Sequence, residues 1–168
     1  MKKTHFIVSI VPLAVLLISV LAFAGDQATT NLTINATVNA RAKLTVSTNT
    51  INFPDADPDS TPSISAAENG VSVTVKVRTG SASVATLAHQ AAGDLSSGSN
   101  SIPISNVTWT AAGSGFSAGV MSSSAAQAVG SWTGSGTQSG TLNFALANSW
   151  SYATGTYTAS STFTLTAP

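Results

Sequence analysis

From Asn31 to Ser47 apolar and polar residues alternate without interruption. Leu32, Ile34, Ala36, Val38, Ala40, Ala42, Leu44 and Val46 fall on one face, and Asn, Thr, Arg, Lys or Ser on the other. This period of two is the pattern of a β-strand with one buried face. The run is too long for one strand. At about 3.3 Å per residue it would extend roughly 56 Å, whereas strands in globular domains usually hold about 5 to 6 residues. Two outcomes are open: the chain bends and uses the run as two strands of its own domain, or the first half leaves the domain and completes the sheet of a neighbouring copy.

The rest of the pattern is also β. Val71, Val73, Val75 and Val77 alternate with Ser72, Thr74, Lys76 and Arg78, which predicts a half-buried strand ended by Gly80. Ile102, Ile104, Val107 and Trp109 predict another, with a phase slip at Ser105 and Asn106 that a bulge would absorb. Leu142, Phe144 and Leu146 make a third. The strongest signal is the last, with Tyr157, Ala159, Ser161, Phe163, Leu165 and Ala167 on one face and Thr or Ser on the other. Ala82 to Ala92 has the composition for a short helix closed by Gly93, although its apolar spacing is irregular. Between Gly93 and Gly140 the chain is mostly Ser, Gly and Ala with scattered large apolar anchors, and reads as short strands joined by long turns. Short strands, frequent turn signals and almost no helical period predict an all-β fold, an antiparallel β-sandwich. A barrel or a solenoid is the alternative, but the fixed internal period of a solenoid is missing.

Composition narrows the setting. Lys2 and Lys3, the uncharged apolar stretch from Phe6 to Leu21, and Ala22-Phe23-Ala24 follow the order of a secretory signal peptide. A retained membrane anchor is the competing reading of a stretch this long. Cleavage after Ala24 leaves 144 residues, enough for one β-domain with a sizeable core. A second hydrophobic segment is lacking, so no membrane span is expected after cleavage. There is no cysteine, so no disulfide can staple the fold and burial must stabilise it. The processed chain carries Arg41, Lys43, Lys76 and Arg78 against Asp26, Asp55, Asp57, Asp59, Glu68 and Asp94. That balance offers no basic stripe for phosphate, and nucleic acid is not an expected partner. With 7% charged residues, copies repel one another weakly, which suits close self-association.

Candidate chemistry is thin. Gly115-Phe116-Ser117-Ala118-Gly119 matches the G-x-S-x-G nucleophile elbow, but that elbow needs a strand, turn and helix with a histidine after the serine. The one histidine of the processed chain, His89, precedes it, and a glycine-rich turn is the expectation. His89 alone cannot make a zinc site. Asp55, Asp57 and Asp59 alternate and are a candidate for hard oxygen ligation of Ca²⁺. Pro54, Pro58 and Pro62 favour instead a solvated extended connection. Trp109, Trp132, Trp150, Tyr152 and Tyr157 could form a sugar-stacking platform. Aromatics at strand spacing are more often core, and Trp150 and Tyr152 are assigned to the interior. The sequons at Asn31, Asn35 and Asn106 are accidental matches in a threonine-rich chain. No catalytic residue, cofactor or metal is assigned.

Two stretches carry a likeness. Thr29-Thr30-Asn31-Leu32-Thr33-Ile34-Asn35-Ala36-Thr37-Val38, then Ala40-Arg41-Ala42-Lys43-Leu44-Thr45-Val46, then Ile51-Asn52-Phe53, resembles the start of the spore coat protein U-like domain, which includes subunits of archaic chaperone-usher pili. Gly155-Thr156-Tyr157 and the alternation through Phe163-Thr164-Leu165-Thr166 are similar to that family's closing strand. The family commonly has a cysteine about where Ala42 stands and an aromatic C-terminus where this chain has Ala167-Pro168. The resemblance implies an incomplete immunoglobulin-like sandwich completed by strand donation from the next subunit. It assigns Leu32, Ile34, Ala36 and Val38 as donor-strand anchors. Ala42, Leu44 and Val46 become the core of the subunit's own first strand, and Tyr157, Phe163 and Leu165 the core of its last.

The expected organisation is a signal peptide over 1–24, an N-terminal extension and candidate donor strand over 25–39, and a β-sandwich domain over 40–168. The leading reading is a secreted, non-enzymatic structural subunit of a surface fibre or pilus, exported through the periplasm. Its partner would be itself, head to tail, with a periplasmic chaperone and an outer-membrane usher as assembly partners. The alternative is a monomeric secreted adhesin or carbohydrate-binding sandwich whose long run crosses from one sheet to the other.

Overall fold

A computed structural model describes residues 25–168; the signal-peptide expectation on residues 1–24 lies outside them. Among the described residues the fold is all-β, an antiparallel β-sandwich. Its strands are β1 (Arg41–Val46), β2 (Ser63–Ser65), β3 (Val71–Arg78), β4 (Val84–Ala91), β5 (Leu95–Ser97), β6 (Asn100–Ile102), β7 (Val107–Ala112), β8 (Gly119–Val120), β9 (Gln127–Thr133), β10 (Gly136–Ala147) and β11 (Ser161–Thr166).

One sheet runs β1-β3-β10-β7-β8, with β2 pairing the far end of β10, and the other runs β11-β4-β9. β5 and β6 form a separate hairpin. β10 is the spine of the larger sheet: its first half pairs β3, its last residues pair β2, and β7 covers its other flank. The core lies between the sheets. Val73, Val75 and Leu142 from one side meet Leu87, Ala85 and Val129 from the other, all with no measurable exposure. Burying each Val or Leu side chain contributes about 1.5 to 3 kcal/mol before entropy is charged, which is the source of stability left to a chain without disulfides.

Two indoles organise the glycine-rich part. Trp109 is buried and donates its Nε1–H to the Ser117 carbonyl at 2.9 Å. Trp132 donates to the Ser114 carbonyl at 2.8 Å. A Cβ on Gly119 would run into the Trp109 ring, and one on Gly115 or Gly130 into Trp132. Glycine stands at these positions because the indoles lie directly on the backbone. The G-x-S-x-G match is thus a packing motif in the β7–β8 connection, with no helix after the serine.

Several elements differ from the sequence-based expectations. Ala82 to Ala92 is no helix: β4 occupies it, with Ala85, Leu87, His89 and Ala91 facing the interior. The phase slip at Ser105 and Asn106 is absorbed by a 3₁₀ turn over Ile104–Asn106 that separates β6 from β7, where a bulge was expected. A register shift does occur in β4 between Leu87 and Ala88, where β9 fits the extra residue Val129. The closing strand begins at Ser161, so Tyr157 precedes it. Tyr157 is half-buried against the core and donates its hydroxyl to the Ala153 carbonyl at 2.8 Å. Trp150 is 70% exposed and not interior. β10 ends at Ala147, and the chain turns through Ser149 and Ser151, whose hydroxyls lie 2.8 Å apart.

Candidate functional site

The long alternating run is strand only over Arg41–Val46, and residues 25–40 carry no strand. Residues 37–168 form one compact unit, and the described residues 25–36 belong to a separate one. Among residues 25–36, Leu32 and Ile34 are each 84% exposed and Ala36 is exposed. Val38, near the start of the larger unit, is 68% exposed. The candidate donor anchors are therefore a largely exposed apolar row. Hydrophobic side chains scattered singly on a surface are ordinary, whereas contiguous exposed apolar surface needs an explanation.

The sandwich has open edges of its own. β1 pairs only β3, and β11 pairs only β4, so the first and last strands are edges, one in each sheet. They approach within 8 Å, Cα to Cα, without hydrogen bonding to each other. Leu44 and Val46 of β1, and Phe163 and Leu165 of β11, point toward the core yet are only half-buried. Ala167 is half-buried in the same row, and Ala42 is exposed. Each edge leaves every second amide and carbonyl directed away from its paired neighbour. The seam between β1 and β11 therefore combines unpaired backbone with incompletely covered apolar side chains.

Beneath the seam lies a residue that sequence reasoning left without a role. His89 of β4 is 2% exposed and stacks face to face on Phe163 of β11, at 3.8 Å between centroids and 7° between planes. Trp109 and Phe144 present their edges to it from the opposite sheet. Nε2 lies 2.9 Å from the Ser161 hydroxyl, and Nδ1 is buried without a partner. Burial among rings pushes its pKa down to about 4. The neutral imidazole is thus a structural piece that holds β11 by a stack and a hydrogen bond. Its signal in the sequence was its parity with Ala85, Leu87 and Ala91, obscured because histidine counts as polar.

The other candidates disperse. Among the described residues no three His, Cys, Asp or Glu side chains gather as a metal site. Asp57 accepts the Asp59 backbone N–H at 2.9 Å, and Asp59 accepts the Trp150 indole N–H at 3.0 Å. These carboxylates order a proline-rich loop. His89 is buried with its Nε2 on Ser161, whereas Ser117 is exposed and shares no hydrogen bond with it, so the two do not form a nucleophile and base pair. Two shallow, serine-lined depressions of about 300 and 530 Å³ flank Asp94, whose Oδ1 accepts the Ile104 N–H.

No family model matches the chain, and no curated protein matches it.

Proposed function

We propose that the chain is a secreted structural subunit, an incomplete immunoglobulin-like sandwich that polymerises into a surface fibre by donating residues 31–38 to the seam between β1 and β11 of the next copy. The observation that carries this reading is the match between two deficiencies in one chain. Leu32, Ile34, Ala36 and Val38 have strand spacing and are largely exposed, and two edge strands have half-covered apolar faces. An added strand satisfies edge amides and carbonyls while alternate side chains fill the gaps between sheets. Because the donated surface and the receiving surface differ, the contact is heterologous and generates an open chain of copies. The activity is assembly, without catalysis, at the cell surface or beyond it.

The test uses a chain lacking Gly25 to Asn39 and a peptide spanning Thr29 to Asn39. The peptide should bind and raise the unfolding free energy of the truncated chain by about 2.7 kcal/mol at a hundredfold excess over Kd. A truncated chain that is a stable monomer and ignores the peptide overturns the reading. The exposed Trp150 favours the second reading, a carbohydrate-binding module, at one position. A stacking platform needs a row of such rings, and Trp109 and Trp132 are buried.

A further inference from the structure

The charges of the sandwich are separated along its strands. Arg41 and Lys43 open β1, and Lys76 and Arg78 close β3; the register sets Arg41 opposite Arg78 and Lys43 opposite Lys76. All four are exposed. Like charges directly opposite one another destabilise a sheet, and β10 on the other flank of β3 offers only Gly136 and Thr137 there. The acidic groups lie at the other end: Asp55, Asp57 and Asp59 between β1 and β2, Glu68 in the turn before β3, and Asp94 after β4. β3 has 8 residues, so about 26 Å separates the two ends. That exceeds the roughly 8 Å screening length at physiological salt, and the two sets cannot neutralise each other within one copy.

This separation has a direction relative to the seam. The N-terminal extension joins the sandwich at Asn39, whose carbonyl accepts the Arg78 Nε–H at 2.8 Å, which is the basic end. β11 runs from the acidic end to the basic end: Ser161 pairs Ala91, shortly before Asp94, and Pro168 beyond Thr166 accepts the hydroxyl of Thr79, the neighbour of Arg78. A donated strand antiparallel to β11 would enter at the basic end of the acceptor and finish at its acidic end. The basic end of the donor would then face the acidic end of the acceptor. A parallel strand would bring two basic ends together. Exposed Trp150, held to Asp59, stands at the acidic end, and an aromatic ring there suits an incoming arginine.

We propose that the two charged ends are a second docking surface between copies, in which Arg41, Lys43, Lys76 and Arg78 of one copy meet Asp55, Asp57 and Asp59 of the next and set the donated strand antiparallel to β11. The surface rests on the strand-donation reading and adds what that reading lacks, a cause for polarity and for the speed of encounter. Complementary charge steers association and excludes the wrong orientation by like-charge repulsion.

Two full-length variants test it. One carries Arg41→Glu, Lys43→Glu, Lys76→Glu and Arg78→Glu, the other Asp55→Lys, Asp57→Lys and Asp59→Lys. Ladder formation at low ionic strength should be slower than in the parent by about tenfold or more for either variant alone. An equimolar mixture should recover the parent rate, because alternating copies restore opposite charges at every joint. The parent rate should itself fall by a similar factor in about 0.5 M salt. The proposal is wrong if either variant assembles at the parent rate, if the mixture is no faster than its components, or if the parent ignores salt. The Thr29 to Asn39 peptide carries no charged side chain, so its uptake by truncated forms of each variant reads the seam alone. Normal uptake with slow ladders supports the charged ends, and loss of uptake in the parent overturns strand donation together with them.

Discussion

Leu44 and Val75 are register partners in one sheet and point into the same interior, yet Val75 has no exposure and Leu44 is only half-buried. Their strands explain the contrast. β3 has β1 on one side and β10 on the other, whereas β1 has a single neighbour. β4 and β11 repeat the relation in the second sheet: Leu87 on β4 is fully buried, and its partner Leu165 on β11 is not. The edge residues are as apolar as the central ones, so the deficit lies in the neighbours. A side chain in a sheet is covered by the strands flanking its own as much as by the opposite sheet.

That contrast can be broken by mutation. Leu87→Ala should destabilise the monomer by about 2 to 5 kcal/mol, because the tightly packed centre cannot collapse onto the space. Leu165→Ala, on the partner residue, should cost the monomer about 1 kcal/mol and weaken joints between copies more than it weakens the fold. Urea unfolding of unassembled chains and the heat resistance of assembled ladders measure the two effects. Equal monomer losses at the two sites would remove the distinction between centre and edge.

The pH dependence should come next in size. His89 has a pKa near 4 in the fold, against about 6.5 in an unfolded chain. The unfolded chain therefore binds more protons between these values, and stability rises with pH across that window. The contribution is complete above about pH 6.5 and is lost as pH falls toward 4, amounting to about 2 to 3 kcal/mol. His89→Phe keeps a ring against Phe163 and should flatten stability over this window. Glu68, held below its ordinary range by the Asn52 backbone N–H and side-chain amide, acts only at the acid edge, where its stabilisation disappears on protonation. A His89→Phe chain as pH-sensitive as the parent would exclude the buried imidazole as the cause.

The smallest effect on the monomer should accompany the largest effect on assembly. Ile34→Asp alters a largely exposed side chain and should change monomer stability by less than about 0.5 kcal/mol, while ladders disappear. A monomer destabilised by more than about 1 kcal/mol would show that Ile34 packs within its own copy.

The same physics decides what was legible in the sequence. Val71 to Val77 could be read directly because valine alternates with Ser, Thr, Lys and Arg on a strand with one wet face. β4 was obscured because its inward positions are Ala85, Leu87, His89 and Ala91, small or nominally polar residues in an alanine-rich stretch. His89 is packed among the rings of Trp109, Phe144 and Phe163, which converge only in the fold. Trp150 shares parity with Tyr152, but parity ceases to mean burial once the strand has ended at Ala147. The end of strand structure near Arg41 leaves no mark in the pattern either, since alternation records fitness for a sheet and is silent on which sheet. The charge separation was fully present in the residue list and became visible only when the register brought Arg41 to Arg78.

Amide hydrogen exchange on β1 and β11 measures the central claim most directly. In unassembled chains, the amides of Arg41–Val46 and Ser161–Thr166 that point away from β3 and β4 should exchange quickly, beside protected neighbours. In assembled chains the same amides should become protected, together with those of residues 31–38. Amides on both edges that exchange equally fast before and after assembly would contradict strand donation.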